Sequence, residues 1–381
     1  MKKSNLRIKR RWILFIFVSL FFTLALSAYL IFFSSLEKDK NTDKKSIQKK
    51  DGYTIIDKDT NENTPLPFKD ISSFSATGDK LYLSVDDHSP SQLANKVVEL
   101  NRKTHEFNTI FTTKFDSPSV QGLQANKDWV VWVDSDDYGM EVNIYAMNIK
   151  TKKIESVTSE NQEGIRNGFP ILTGQHVAWI SFDQKKGIPY VLIKDLYSKK
   201  TQQIFQLKTL SMENEDLSTY QNKILFTDYH NGTSTAYIYN IDSAELKIIP
   251  IDKAYTGWGQ LLNDHQFVYL KYFTDSEDAI TNNQLYLYDF KKNKQQKFST
   301  KKHLNVEDLY TDGNNNVFIV SAGEERFKKF QVKENNIQHL GTNPMSDYSY
   351  MQYSNGIYLF KYEGTFKKSR KELMITSKLP S

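Results

Sequence analysis

The feature that most constrains this chain is one unit that recurs seven times between residue 81 and the C-terminus. Each copy has an apolar strand, an acidic or Gly/Asn turn, a Tyr-rich strand, a Lys-rich turn and a further strand, and residues 128–158 are the clearest copy. At intervals of about 46 residues, the same position of the apolar strand is occupied by Leu83, Trp132, Trp179, Phe226, Tyr269, Ile319 and Leu359. Since a four-stranded blade takes about 40–50 residues, this period predicts an all-β fold, a β-propeller.

The predicted ring has seven four-stranded blades, with six as the alternative. An apolar stretch before each repeated position predicts the innermost strand of a blade, at residues 71–74, 120–123, 169–172, 217–220, 259–262, 306–310 and 348–353. The last unit ends after its third strand, at residues 372–377, while residues 53–56 form a strand with no unit of their own. We therefore predict that this N-terminal strand pairs with the last blade as its outer strand and closes the ring.

The charge of the chain is unevenly distributed. The net charge is +5, but residues 1–50 contain 12 Lys/Arg and 3 Asp/Glu, whereas the other 331 residues contain 38 and 42. A domain that is not itself basic does not fit a nucleic-acid-binding protein. The chain contains no Cys, which excludes a disulfide framework, a Cys-based zinc site, a Cys nucleophile and a lipid-modified Cys.

An uncharged apolar segment at residues 12–33 predicts a transmembrane helix. As a helix it would span roughly 33 Å, against a hydrocarbon core of about 30 Å. The six basic residues before it predict a cytoplasmic N-terminus and a C-terminal domain outside. A secretory signal cleaved after Ala28 is the alternative, but the apolar run is longer than in most such signals.

These features divide the chain into four parts. They are a cytoplasmic basic tail at residues 1–11, a transmembrane signal anchor at 12–33, a polar linker at 34–51 and the propeller domain at 52–381. The predicted location is therefore the cell membrane, crossed once, with the propeller outside.

Short motifs in the second unit carry a family resemblance. Trp132-Val133-Asp134, Ile144-Tyr145 and Lys150-Thr151-Lys152 resemble the repeats of TolB-like and related WD40-like extracytoplasmic propellers, and the resemblance covers residues 53–381. The Ser-Pro-Asp-Gly turn common in TolB repeats is absent, so the resemblance is to the superfamily. It implies a fold and not a function, because such propellers include binding modules, scaffolds and enzymes.

An Asp begins the turn between the second and third strands in five units, at Asp86, Asp134, Asp183, Asp228 and Asp275. The favoured interpretation is an Asx-turn, in which the side chain bonds its own backbone. In one of these turns Asp134, Asp136 and Asp137 precede Gly139, similar to the first half of a calcium loop, so these three are the candidate metal ligands. The Glu that completes an EF-hand loop is missing, and a solvated acidic turn is the alternative.

The predicted binding face is the side of the ring that carries the longer loops. The turn between strands two and three and the link to the next blade lie on this side, and loops on a rigid scaffold commonly bind partners. The candidate binding residues are Glu160, Glu163, Glu213, Glu215 and Trp258. Trp258 would either stack on a sugar or peptide or pack between blades, whereas Trp129, Trp132 and Trp179 are predicted core residues.

The motifs of common enzyme classes are absent. The sequence has no P-loop, dinucleotide fingerprint or Gly-x-Ser-x-Gly elbow, and its His residues are scattered singly, so no cofactor other than calcium is predicted. The leading hypothesis is a membrane-anchored extracytoplasmic propeller that binds a protein or an envelope polymer as a non-enzymatic scaffold. The alternative is a polysaccharide-active enzyme of the lyase or glycosidase type, whose carboxylates or His residues would come from different blades.

Overall fold

A computed structural model describes residues 52–87, 93–136, 139–158, 164–209, 217–252, 256–272, 283–298, 305–321, 327–334, 336–342, 350–363 and 371–378. These residues form seven sheets in chain order, each of which is one blade. The prediction of a seven-bladed propeller is therefore confirmed, and the six-bladed alternative is wrong. In the described part, which starts at Gly52, no helix is long and apolar enough to cross a membrane, and the predicted span at residues 12–33 lies outside it.

The strands are numbered along the chain, and blades 1–7 follow the same order. The innermost strands are β3 (Asp70–Thr77), β7 (Pro118–Ala125), β11 (Ile165–Asn167) with β12 (Ile171–Thr173), β16 (Ser218–Tyr220), β20 (Thr256–Leu261), β24 (Val306–Thr311) and β28 (Tyr350–Ser354). The second strands are β4 (Lys80–Asp86), β8 (Trp129–Asp136), β13 (His176–Asp183), β17 (Lys223–His230), β21 (Gln266–Tyr272), β25 (Asn316–Ser321) and β29 (Ile357–Glu363).

The third strands are β5 (Lys96–Asn101), β9 (Val142–Asn148), β14 (Ile188–Asp195), β18 (Thr233–Asn240), β22 (Asn283–Asp289), β26 (Lys328–Lys333) and β30 (Lys371–Thr376). The fourth strands of blades 1–6 are β6 (Phe107–Thr112), β10 (Ile154–Ser156), β15 (Thr201–Gln206), β19 (Glu245–Asp252), β23 (Lys294–Lys297) and β27 (Asn336–Thr342). The two N-terminal strands, β1 (Thr54–Asp57) and β2 (Glu62–Pro65), belong to the sheet of blade 7.

The repeated position of the sequence lies in the second strand of every blade. All seven of its residues, from Leu83 to Leu359, are at most 2% exposed. Their β-branched, aromatic and Leu neighbours suit a strand that is covered on both faces. The hydrophobic core is correspondingly divided into seven clusters, each between two neighbouring blades.

Asx-turns recur mainly at a turn other than the one the sequence predicted. They lie between the third and fourth strands, where one side-chain oxygen accepts two backbone N–H groups, at Asn101, Asn148, Asp195, Asn240 and Asp289. The fourth residue after each has a φ between 52° and 61°, which completes the reversal. At the predicted turn between the second and third strands, Asp183 accepts an N–H from Lys186, as expected. Asp134 and Asp228 instead bind other segments, and Asp275 lies outside the described residues.

Strand β1 lies beside β30 in the last blade and runs parallel to it, with Ile55 opposite Leu373. The other pairings of the described strands are antiparallel. The direction follows from β2, which returns antiparallel to β1 and leads the chain into β3, as the outer strands of the other blades lead into the next blade. The turn from β1 to β2 is accordingly built as an Asx-turn on Asp57.

An ion-pair network joins this N-terminal hairpin to blade 1. The Arg102 guanidinium donates to both carboxylate oxygens of Asp57, at 2.8 and 2.9 Å, and to Asp59 at 3.0 Å. Asp59 also accepts hydrogen bonds from the backbone and the hydroxyl of Ser377, just after β30. The network therefore links blade 1, the hairpin and the C-terminal strand.

The stability that Asp59 contributes is expected to depend on pH. Burial opposes its ionisation, but the hydrogen bonds from Ser377 and Arg102 outweigh this and lower the pKa of Asp59 below its usual value. A lowered pKa in the folded state gives stability that is complete above the unfolded pKa and is lost as pH falls through the folded value. Asp59→Asn should lower the unfolding free energy at pH 7 by about 1–3 kcal/mol, and the deficit should shrink towards pH 3. Denaturant titrations at both pH values measure it.

Asp79→Asn is the matched control, because Asp79 forms an exposed pair with Lys103 of a kind that contributes about 0–1 kcal/mol. A deficit for Asp59→Asn that stays constant from pH 7 to pH 3 would contradict the prediction.

Candidate functional site

Two of the predicted turn aspartates accept hydrogen bonds from the segment that links the preceding blade to their own blade. Asp134 is buried and accepts a hydrogen bond of 2.6 Å from the hydroxyl of Thr113, in the link from blade 1. Asp228 accepts the backbone N–H groups of Lys208 and Thr209, in the link from blade 3. Burial raises the pKa of Asp134 to about 6, against the opposing effects of Thr113 and Lys114. These carboxylates connect neighbouring blades.

The candidate metal ligands are only partly described. The carboxylate of Asp136 accepts the backbone N–H groups of Met140 and Glu141, at 2.7 and 3.1 Å, and so caps its own hairpin. Asp137 lies outside the described residues. Among those that are described, no three His, Asp or Glu side chains come together as a metal site. Calcium binding by Asp134, Asp136 and Asp137 remains a prediction.

The predicted binding residues also fall largely outside the description. This applies to Glu160, Glu163, Glu213 and Glu215, and to the side chain of Trp258, whose backbone belongs to β20. Trp129, Trp132 and Trp179 are at most 4% exposed, which confirms that they are core residues.

The seven innermost strands surround a central cavity of about 810 Å³. Each innermost strand, or the turn that follows it, is hydrogen-bonded to the next one around the cavity. These hydrogen bonds join Ala125 to Ser75, Gln124 to Leu172, Thr173 to Gln221, Leu261 to Ser218, Thr311 to Leu261, Asn314 to Tyr353 and Asn355 to Ala76. The wall is therefore one connected ring, and a ligand in the cavity would meet fixed groups.

An aromatic wall runs along one side of the cavity, where blades 6, 7 and 1 meet. The rings of Tyr310 and Tyr350 are nearly perpendicular, with centroids 5.9 Å apart, and Tyr350 contacts Phe74 at 5.4 Å. Tyr310 is also 6.0 Å from Phe327. Tyr350 remains 38% exposed because it borders the cavity. This wall presents ring surface to whatever occupies the cavity.

Asp308 lies beside this wall and lines the same cavity. Its carboxylate has no hydrogen-bond or ion-pair partner among the described residues. Burial, and then the neighbouring charge of Glu307, raise the pKa of Asp308. Asp308 lies close enough to both tyrosines to affect their ionisation. Burial is the larger cause that raises the pKa of Tyr310 and of Tyr350, and the negative charge of Asp308 is the next.

The second carboxylate of the lining, Asp312, is fully occupied. It accepts hydrogen bonds from the backbone N–H groups of Asn314 and Asn316, from the side-chain amide of Asn316 and from the Tyr358 hydroxyl. Asp312 therefore shapes the turn between β24 and β25, and Asp308 is the carboxylate that a ligand can reach.

Neutral polar groups complete the lining on the side of blades 4 and 5. The side chains of Thr219, Gln221 and Gln260 line the cavity and bond no other described residue. None of the described lining residues is Lys, Arg or His. With one free carboxylate and no basic group to balance it, the cavity attracts cations and neutral polar groups and disfavours polyanions.

A smaller cleft of about 100 Å³ lies between blades 2 and 3, on the side that carries the links. It is bordered by Gly139, in the turn between β8 and β9, and by Arg166 of β11. Phe169 lines both this cleft and the central cavity and is 48% exposed. Phe169 lies in the break between β11 and β12, where the next residue, Pro170, has no N–H to donate to a neighbouring strand.

The sequence did not single out Asp308, Tyr310 or Tyr350. It predicted the strands that carry them, at residues 306–310 and 348–353, and both predictions are confirmed. A polar or ionisable residue inside a predicted innermost strand was the signal that could have pointed to Asp308, since such strands border the centre of a propeller.

No protein-family model matches the sequence, and a comparison with curated proteins gives no match. Similar solved structures do exist. An oligogalacturonate lyase in complex with manganese has 13% identity and a TM-score of 0.52, covering 81% of this chain and 88% of that one. A catalytically inactive virginiamycin B lyase from Staphylococcus aureus with quinupristin has 9% identity and a TM-score of 0.50, covering 84% and 95%.

TolB from Acinetobacter baumannii is also among these structures, with 14% identity and a TM-score of 0.40, covering 79% of this chain and 81% of that one. At such identities the likeness is one of fold. The two lyases share the propeller architecture with this chain, and proteins of different functions have that architecture.

Proposed function

We propose that this chain is a membrane-anchored propeller outside the cytoplasm that binds a protein or an envelope polymer without transforming it. The apolar segment at residues 12–33 and the basic residues before it support the anchor and its orientation. We further propose that pairing of the N-terminal strand with blade 7 closes the ring, so that the propeller is a rigid platform for binding.

The central cavity is the observation that carries the binding proposal. It combines an aromatic wall with amides, a hydroxyl and one carboxylate that have no hydrogen-bond partner among the described residues. Binding sites commonly have such a concave, partly aromatic surface with a few polar groups that fix the orientation of the ligand.

The alternative, a polysaccharide-active enzyme, is supported by the lyases among the similar structures. Glycosidases of the common type use two carboxylates, about 5–9.5 Å apart. In the described lining only Asp308 is free for such a role, because Asp312 is saturated by four hydrogen bonds. This supports binding over glycoside hydrolysis.

The proposal is tested on the full chain in its membrane. Protease added to intact cells should remove the propeller, and mild crosslinking should capture a partner on the face that carries the links. Reversing the charge of Glu160, Glu163, Glu213 and Glu215 should weaken capture in a graded manner, while exposed substitutions change stability by less than about 0.5 kcal/mol each.

The matched control reverses four exposed acidic residues at the turns on the opposite face, Asp79, Glu106, Asp242 and Asp264, and should leave capture unchanged. Protection of the propeller from external protease would refute the orientation. Release of shortened products from cell-wall glycans or pectin-like polymers, with or without calcium or manganese, would replace the binding function by the enzymatic one.

A further inference from the structure

We infer that the central cavity recognises an ammonium group carried by a glycan, held between the Asp308 carboxylate and the rings of Tyr310 and Tyr350. The inference deepens the proposed function, on which it rests, by naming the chemistry of the ligand: a sugar polymer with free amino groups.

The two tyrosine rings provide the first half of such a site. Their nearly perpendicular planes, 5.9 Å apart at the centroids, form a corner that borders the cavity. The face of an aromatic ring carries negative electrostatic potential, and aromatic corners of this kind bind alkylated and simple ammonium ions. An anionic group gains nothing from this surface.

Asp308 provides the second half. A carboxylate that is partly removed from water and has no partner in the described part of the chain is unfavourable in its charged form, and the pKa of Asp308 is accordingly raised. An ammonium group beside it would supply the missing counter-charge. The attraction is stronger in the cavity than in water, because the surrounding blades lower the effective dielectric constant.

The remaining lining favours a glycan as the carrier of the ammonium group. Thr219, Gln221 and Gln260 offer a hydroxyl and two amides that bond no other described residue, and these groups can both donate to and accept from sugar hydroxyls. A lysine side chain of a protein would satisfy Asp308 but would leave these three groups unused. The cavity volume of about 810 Å³ falls within the range of small-molecule sites, roughly 300–1,000 Å³.

The experiment is a calorimetric titration of the full chain, purified in detergent, with four probes at neutral pH. The probes are a glucosamine oligosaccharide, the fully N-acetylated oligosaccharide of the same length, a lysine-containing peptide and an oligogalacturonate. We expect the glucosamine oligosaccharide to bind at least tenfold more tightly than each of the others.

Variants then locate the site. Asp308→Asn and Tyr350→Leu should each weaken binding of the glucosamine oligosaccharide by tenfold or more, and Asp308→Glu should restore part of it. Glu307→Gln is the matched control, because Glu307 is the adjacent carboxylate but is exposed and outside the cavity lining. It should leave the affinity within twofold. Melting temperatures of all variants separate a loss of binding from a loss of folding.

Three results would overturn the inference. Equal affinity for the amino and acetylated oligosaccharides would show that the cavity does not recognise the ammonium group, although a glycan-binding function would stand. Tighter binding of the lysine peptide than of any sugar would make the ligand a protein. Full binding by Asp308→Asn would move the site elsewhere, and failure of crosslinked capture on cells would separately count against the proposed function.

Discussion

A chain that begins at Asp70 is expected to lose the cooperative folding of the whole propeller, whereas one that begins at Asp51 keeps it. The shorter chain lacks β1 and β2, and with them the buried side chains of Tyr53, Ile55, Leu66 and Phe68. Each contributes about 1.5–3 kcal/mol by burial, and the total is comparable with the net stability of a domain, about 5–15 kcal/mol.

The same truncation exposes β30 as an unpaired edge and leaves Arg102 without Asp57 and Asp59. Removing one side of a buried ion pair typically costs about 3–5 kcal/mol. Thermal unfolding followed by circular dichroism checks the prediction, with Lys58→Ala in the longer chain as a surface control. Equal melting temperatures for the chains that begin at Asp51 and Asp70 would refute ring closure by the N-terminal strand.

Trp132→Ala is expected to lower the unfolding free energy by about 3–5 kcal/mol. The indole is fully buried in the cluster between blades 1 and 2. Its ring centroid is 5.2 Å from that of Phe111 and 6.0 Å from that of Tyr145. The substitution leaves a cavity between two blades that the rest of the ring prevents from closing, which places the cost at the upper end for such changes. Denaturant titration with a constant m-value measures it.

Trp132→Phe keeps most of the ring and should cost clearly less, and the exposed Lys127→Ala should change stability by less than about 0.5 kcal/mol. The indole nitrogen has no hydrogen-bond partner among the residues that the structure describes, so the loss measured for Ala reports packing. A cost below 1 kcal/mol would mean that the repeated position does not anchor its blade.

The sequence alone identified the anchor of every blade and favoured seven blades, with six as the alternative that the structure then excluded. The apolar strand recurs at a nearly constant period, and each copy carries the same local pattern of strand and turn residues. This pattern can be recognised without knowing any distant contact. In every blade the second strand lies between the first and third strands of the same blade, so the same residue types are buried at the same position. For this reason the sequence alone is enough to align Leu83, Trp132 and Phe226 as equivalent core positions.

The roles of the turn aspartates were harder to predict. Asp134 and Asp183 begin the same turn in their blades, yet Asp134 binds Thr113 in the incoming link and Asp183 binds the N–H of Lys186 in its own turn. The choice depends on how closely the preceding link approaches, which local sequence does not specify. A second Asx pattern, at Asn148 and its equivalents, is present in the sequence at the same period.

The candidate site was decided by tertiary structure. Asp308 and Tyr310 lie in one strand, but Tyr350 and Phe74 come from two other blades, and they become neighbours only where the first and last blades meet. The parallel direction of β1 likewise depends on β2 returning the chain to blade 1. Repetition in a sequence specifies the units of a propeller, because each unit is local. The centre of the ring is composed of one strand from every unit, and its chemistry depends on which residues the closed ring brings together.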